Sequence, residues 1–194
     1  MKKMIDQNLV ALQERATVKL LLSNLMNVGI VVLLLILSAF VRIPLPFTPV
    51  PITAQTLIVL LGGAYLGARL ASVALGFYIC LGIIGLPIFS GAEGGLSKFL
   101  GPTGGYLIGF IAASWFVGKL IDYHEKFLRN SLIFLFASTI ILVCGMFYLA
   151  LYLGISFKTA FFVGMLPFVP GELIKVAIAS GIYRKVKLFH SKKS

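Results

Sequence analysis

Charged side chains are scarce in this chain, and acidic ones are the scarcest. Only 12% of the 194 residues are charged, and only six of them are Asp or Glu, whereas about a quarter of an ordinary soluble domain is charged. Hydrophobic residues make up 59% of the sequence. The chain has too few polar side chains to cover a water-soluble domain of normal size, so the composition indicates an integral membrane protein.

Cysteine and histidine are also rare, with two residues of each type. Cys80 and Cys144 lie in separate apolar runs without a second thiol or a histidine nearby, which fits neither a disulfide framework nor a metal site. The sequence also offers no Ser/His/Asp or Cys/His set for nucleophilic catalysis. We therefore expect no catalytic residues, no metal site and no cofactor.

Long apolar runs, by contrast, recur from Leu20 almost to the C-terminus. A cleaved signal peptide is an alternative for the N-terminus, because Lys2 and Lys3 precede apolar residues, but Asp6 and Glu14 interrupt any such segment. Backbone groups in lipid must be satisfied internally, which favours helices over these continuous runs. The runs predict transmembrane helices at residues 20–41, 52–67, 70–86, 105–121, 131–155 and 157–183.

The predicted fold class is thus an all-α integral membrane protein, a bundle of six transmembrane helices. We expect a single membrane domain, 1–194. It would comprise a cytoplasmic N-terminal segment (1–19), a six-helix core (20–183) and a basic cytoplasmic tail (184–194).

The distribution of basic residues predicts the orientation in the membrane. With the N-terminus inside, 13 of the 17 Lys and Arg residues fall in cytoplasmic segments, and only Arg42, Lys98 and Lys158 fall in external loops. Cytoplasmic loops are enriched in Lys and Arg, so both termini should lie in the cytoplasm and the protein in the cytoplasmic membrane. The net charge of +11 then reflects topology and contact with the lipid bilayer, and not nucleic acid as a partner.

The predicted external connections carry unusual sequences. Residues 42–53 contain four prolines, which favour a stiff extended segment. Residues 89–105 are rich in glycine and long for a helix connection, as binding loops often are.

The third connection runs into Glu172 and Lys175, three residues apart on a helix expected to begin just after Pro170-Gly171. Ionisable groups in a membrane span cost a few kcal/mol (about 2.5–3.5) unless they are paired or face water, and they usually mark a functional site. One interpretation is a polar site where interrupted helices expose backbone groups. The other is a structural ion pair that ties the broken sixth span to its neighbours.

Several motifs, in order along the chain, resemble a known family: Arg42-Ile-Pro-Leu-Pro46, Val50-Pro-Ile-Thr-Ala-Gln-Thr56, Gly101-Pro-Thr-Gly-Gly-Tyr106 and Pro167-Phe-Val-Pro-Gly-Glu-Leu-Ile-Lys175. They are similar to those of BioY, the biotin-specific substrate-binding subunits of energy-coupling factor transporters. The resemblance covers most of the chain. It departs at Ser90-Gly91-Ala92, where the family usually has paired glycines.

The resemblance implies a subunit that binds biotin with high affinity from outside the cell and is not itself an enzyme. In the family, a transmembrane coupling subunit and two ATPase subunits are the partners that supply energy. Family first helices commonly have an Ala-xxx-Ala spacing thought to dock the coupling subunit. Here residues 31–38 read Val-Val-Leu-Leu-Leu-Ile-Leu-Ser, and such bulky side chains do not allow the same close approach. Either docking uses other surfaces or this subunit works without a dedicated coupling module.

The resemblance also suggests roles for individual side chains. Glu172, which stands where the family typically has Asp, would accept hydrogen bonds from the ureido nitrogens of biotin. Lys175 would donate to the ureido carbonyl or balance the charge of Glu172. Gln55 and Tyr106 are either further polar contacts or packing residues. Glu93 is expected to close over the ring.

The biotin carboxylate would meet Arg42 or Lys98, although each is equally a candidate interfacial anchor. Other functions remain open at this point. The same scaffold would suit another small vitamin, Glu172 would suit a general base in an intramembrane enzyme, and a passive channel is a further alternative.

Overall fold

The structure is a computed structural model that describes residues 2–121 and 127–191, with the side chains of residues 13, 15–121 and 127–186. The predicted cytoplasmic residues Lys126, Lys192 and Lys193 lie outside the described residues. The helices are α1 (Lys2–Phe40), α2 (Gln55–Ile83), α3 (Leu96–Phe99), α4 (Gly104–Leu120), α5 (Phe127–Leu153), α6 (Phe157–Gly164), a 3-10 turn (Leu166–Phe168) and α7 (Val169–Ser191).

Within these described ranges, four helical stretches are long and apolar enough to cross a membrane: Arg15–Phe40, Gln55–Ile83, Phe127–Leu153 and Phe157–Val186. Gly104–Leu120 is a shorter apolar helix. The expectation of a helical membrane protein is therefore confirmed. The two strands, β1 (Arg42–Ile43) and β2 (Ile52–Thr53), pair antiparallel with Arg42 opposite Thr53, so the proline-rich connection is a short hairpin and not one extended segment.

Helix α2 is two helical segments that meet at Gly67. This residue has φ 73° and ψ 170°, a conformation that glycine adopts without steric cost. Gln55 and Tyr78 are 23 residues apart, yet their side chains are hydrogen-bonded at 2.8 Å. A straight helix would separate them by roughly 34 Å. The chain therefore reverses direction at Gly67, where the sequence predicts the boundary between residues 52–67 and 70–86.

Several predicted helix boundaries differ from those of the structure, including the following three. Helix α1 extends back to Lys2 and not to residue 20, so the predicted N-terminal segment is helical. Helix α7 begins at Val169, before Pro170 and Gly171, because proline needs no hydrogen-bond partner for its nitrogen in the first turn. The same helix continues past residue 183 to Ser191.

The core lies where α2, α4 and α5 meet. Glycines allow close contact there: a Cβ on Gly105 would lie 2.2 Å from the Tyr148 Cβ, and one on Gly63 would lie 2.7 Å from the Ser114 carbonyl oxygen. Large side chains such as Tyr78 and Phe134 are fully buried beside them. Small residues at helix contacts are typical of membrane bundles, in which packing replaces the hydrophobic effect.

Candidate ligand-binding site

A cavity of about 570 Å³, including space open to solvent, lies among the proline-rich connection, the loop after α2, and helices α2, α4, α5 and α7. Its apolar wall is formed by Val50, Pro51, Phe89, Leu107, Phe110, Ile141, Leu142 and Phe168. Its polar groups belong to Thr53, Gln55, Thr56, Ser90, Thr103, Tyr106, Glu172 and Lys175.

The ion pair of Glu172 and Lys175 lies in this wall. Both side chains are largely buried, with 8% and 12% of their surfaces exposed. The Glu172 carboxylate also accepts hydrogen bonds from Ser138 Oγ on α5 at 2.7 Å and from Thr56 Oγ1 on α2 at 3.2 Å. Three helices therefore converge on this carboxylate. The hydrogen bonds stabilise its negative charge, because a bond to a charged acceptor is stronger than one between two neutral groups.

The Lys175 ammonium group is equally well anchored. It donates to the Thr53 carbonyl oxygen at 3.0 Å, to Thr56 Oγ1 at 3.4 Å and to the Glu172 carboxylate. These three bonds match the three donors of an ammonium group. The pair thus ties α7 to α2 and α5, and at the same time presents a fixed acceptor and a fixed cation to the cavity.

Gln55 lines the cavity and connects two of its walls. Its Nε2 donates to the Tyr78 hydroxyl at 2.8 Å, and that hydroxyl donates to the Ile88 carbonyl oxygen at 3.0 Å. Tyr78 is fully buried, and Ile88 directly precedes the wall residues Phe89 and Ser90. The chain of bonds holds the loop after α2 in place.

Tyr106 contributes its ring to the cavity. Its hydroxyl donates to the Gly164 carbonyl oxygen, and the ring packs on Gly145, where a Cβ would lie 2.2 Å from the ring. The polar end of this side chain therefore joins α4 to the end of α6.

Glu93, Lys98 and Arg42 are predicted site residues that do not line the cavity. Glu93 and Lys98 form an ion pair at 2.8 Å in the glycine-rich loop, with 53% of the Glu93 side chain exposed. The exposed Arg42 guanidinium lies next to Gly91, where a Cβ would be 2.5 Å from Nη1. These three charged groups lie outside the wall that Phe89 and Ser90 form.

Sequence reasoning missed Thr56, Ser138, Tyr78 and Ser90. The hydroxyls of Ser138 and Thr139 in an otherwise apolar run were an available signal, because polar side chains in membrane spans usually face a partner. The partners of Tyr78 could not be predicted, because no local pattern specifies its bonds to Gln55 and to the Ile88 carbonyl oxygen.

The outer end of the Phe89 ring packs against Gly82, so we expect Gly82→Ala to disturb this wall. An added Cβ would lie 2.1 Å from the ring, and the ring is held edge-on against Tyr78 at a centroid distance of 5.6 Å. Overpacking of this kind costs about 1–3 kcal/mol. Thermal unfolding of the purified protein measures the effect.

Gly76→Ala is the matched control for that variant, because nothing lies within 4 Å of the position that an added Cβ would take. It should be neutral or stabilising by up to about 1 kcal/mol, since alanine is the better helix former. Equal stability of the two variants would contradict the packing argument.

Comparison with known proteins gives a consistent set of similarities. The family model described as the BioY family matches residues 8–191. The chain is 39% identical over 153 residues to the biotin transporter BioY of Rhizobium etli, covering 74% of this chain and 81% of that one. It is 36% identical over 164 residues to the biotin transporter BioY of Thermotoga maritima, covering 84% and 95%.

Among solved structures, the chain is similar to the S-component for biotin from an ECF-type ABC transporter. The TM-score is 0.81 at 28% identity, and the match covers 87% of this chain and 93% of the other. The similarity therefore extends to the arrangement of most of the chain.

Proposed function

This chain belongs to the BioY family, and on that premise we propose that it binds biotin in the cavity beside Glu172 and Lys175 for uptake across the cytoplasmic membrane. It is a transport subunit and not an enzyme. The observation that carries the site is the buried ion pair in the wall of an otherwise mostly apolar cavity. Burying an ion pair in a membrane protein costs free energy, so a pair that is present usually serves a function.

The chemistry of biotin complements the cavity. The ureido ring has two N–H donors, which the Glu172 carboxylate would accept, and a carbonyl oxygen, to which Lys175 would donate. The apolar bicycle would pack against the aromatic and aliphatic wall that includes Phe89, Phe110 and Phe168. Gln55 and Tyr106 support this wall, while Glu93 would close the entrance from outside. Arg42 and Lys98 would attract the carboxylate.

We further propose six membrane crossings with both termini in the cytoplasm, in one membrane domain of residues 1–194. The reversal at Gly67 supports counting α2 as two crossings. The broken stretch of α6 and α7 would supply one crossing. The unequal distribution of Lys and Arg supports the orientation.

Cysteine labelling tests this topology, in a variant whose Cys80 and Cys144 are replaced by alanine. We expect a membrane-impermeant maleimide to label Ser97→Cys on intact cells. Lys119→Cys, at the exposed end of α4, should react only after permeabilisation. Labelling of both positions on intact cells would contradict six crossings.

For the partners, we propose a transmembrane coupling subunit and two ATPases, with docking away from the inner face of α1. Val31, Val32 and Leu35 of that face are buried within this chain, and the Val31 Cγ1 would lie 3.1 Å from a Cβ on Gly62. A coupling subunit would therefore have to contact other surfaces. The test is whether a coupling subunit is recovered when this protein is affinity-purified from native membranes.

The test of the ligand is binding of labelled biotin to the purified protein, in competition with thiamine and riboflavin. We expect unlabelled biotin to displace the label and the two other vitamins to leave it bound. Displacement by either of them would instead favour the same scaffold acting on another vitamin.

A further inference from the structure

The polar side chains of the cavity wall differ in whether they have partners. Glu172, Lys175, Thr56, Gln55 and Tyr106 are all hydrogen-bonded. The Ser90 hydroxyl is different: its Oγ is buried and has no hydrogen-bond partner within the part of the chain that the structure describes. Buried hydroxyl groups are almost always hydrogen-bonded, so a ligand in the cavity is the natural partner for this one.

Ser90 is itself firmly placed, with only 9% of the residue exposed. The loop that carries it is fixed on both sides, by the bond from Tyr78 to the Ile88 carbonyl oxygen at 3.0 Å and by the bond from the Phe89 amide to the Glu93 carbonyl oxygen at 2.9 Å. Because the loop is already fixed, a hydrogen bond between this hydroxyl and a ligand costs little conformational entropy. The unpaired group is therefore pre-organised.

The position of Ser90 indicates which part of the ligand it meets. The next residue, Gly91, contacts the exposed Arg42 guanidinium, and Ala92 and Glu93 beyond it are exposed. Ser90 thus lies at the mouth of the cavity, by which we mean the end beside this exposed segment. Glu172 is also buried and is bonded to the buried Ser138 of α5, and we call the region around this carboxylate the inner end.

We propose that the Ser90 hydroxyl donates a hydrogen bond to the carboxylate of the bound ligand and contributes to its selectivity for an acidic tail. This proposal rests on the proposed function, in which the ureido ring occupies the inner end. With the ring beside Glu172, the valerate tail points toward the mouth. There a serine donor beside an arginine charge suits a carboxylate, because hydrogen bonds to charged acceptors are the stronger kind.

The experiment compares two probes, biotin and its bicyclic ring without the valerate tail, by direct binding to the full-length purified protein. We expect Ser90→Ala to weaken biotin binding about tenfold, the usual scale for one hydrogen bond to a charged group. Binding of the tail-less ring should change less than about twofold. Ser90→Thr, which keeps the hydroxyl, should restore most of the affinity for biotin.

Ser114→Ala is the matched control, because Ser114 is also buried but its hydroxyl donates to the Ile111 carbonyl oxygen within α4. It should leave the affinity for both probes unchanged. Without ligand, Ser90→Ala should unfold at the same temperature as the parent or a higher one, because the hydroxyl that it removes has no partner to lose.

Three results would overturn the assignment. They are unchanged biotin affinity in Ser90→Ala, an equal loss for the tail-less ring, and a lowered unfolding temperature without ligand, which would show a structural role. If the parent protein binds no biotin, the proposed function itself fails. If the parent binds biotin and Ser90→Ala binds it equally well, only the Ser90 assignment is refuted.

Discussion

Glu172→Gln and Lys175→Met are each expected to weaken biotin binding by about a hundredfold. A hydrogen bond to a charged group contributes about 1.5–3 kcal/mol, and each 1.4 kcal/mol is about tenfold in affinity. The glutamine keeps the shape of Glu172 but loses the charge that the ureido N–H groups would meet. The methionine keeps the apolar stem of Lys175 and loses its donors. Equilibrium binding of labelled biotin to each purified variant measures the loss.

Lys158→Met is the control for the lysine variant, because Lys158 is exposed at the start of α6. It makes the same chemical change and should leave the affinity within about twofold of the parent. If Glu172→Gln and Lys175→Met both bind as tightly as Lys158→Met, the ion pair is not the binding site, even though the family assignment stands.

The sequence allowed good prediction of the features that depend on local chemistry. Apolar runs and breakers located the helices, including the change of direction at Gly67, because membrane-spanning backbone leaves few alternatives to a helix. The cost of ionisable groups in a span singled out Glu172 and Lys175 for the same reason. The structure brings both into one cavity wall with Gln55 and Tyr106.

The features that depend on contacts between distant segments could not be predicted in this way. Ser138 is 34 residues from Glu172 along the chain, and no pattern in either segment specifies their pairing. The positions of Glu93 and Lys98 outside the cavity follow from how the glycine-rich loop folds back on α2. That fold depends on contacts such as Phe89 on Gly82, which only the assembled helices determine.

The start of α1 shows why hydropathy does not predict the ends of helices. Residues 2–19 contain charged and polar side chains that end an apolar run, but they do not end a helix, because Lys, Gln and Glu are good helix formers. Hydropathy therefore marks where the apolar segment ends and not where the helix ends. Helix α7 continues past residue 183 for the same reason.

The ion pair also gives the prediction with the largest effect on stability. Lys175→Met leaves the Glu172 carboxylate buried without its cation, and breaking a buried pair in this way costs about 3–5 kcal/mol. The double variant Glu172→Gln/Lys175→Met removes both charges. The glutamine can still bond to Ser138 and Thr56, so we expect the double variant to recover most of the lost stability, to within about 1–2 kcal/mol of the parent. Thermal unfolding of the purified variants without ligand makes the comparison.

Biotin binding should not recover together with stability in this double variant. The parent gains about 2.7 kcal/mol of stability from a ligand at a hundred times its Kd, and we expect that gain to disappear in the double variant. A pair that only held α7 against α2 and α5 would give a different result, because binding would then return when the helices are held again. Restored biotin binding in the stable double variant would therefore assign Glu172 and Lys175 to the scaffold and not to the ligand.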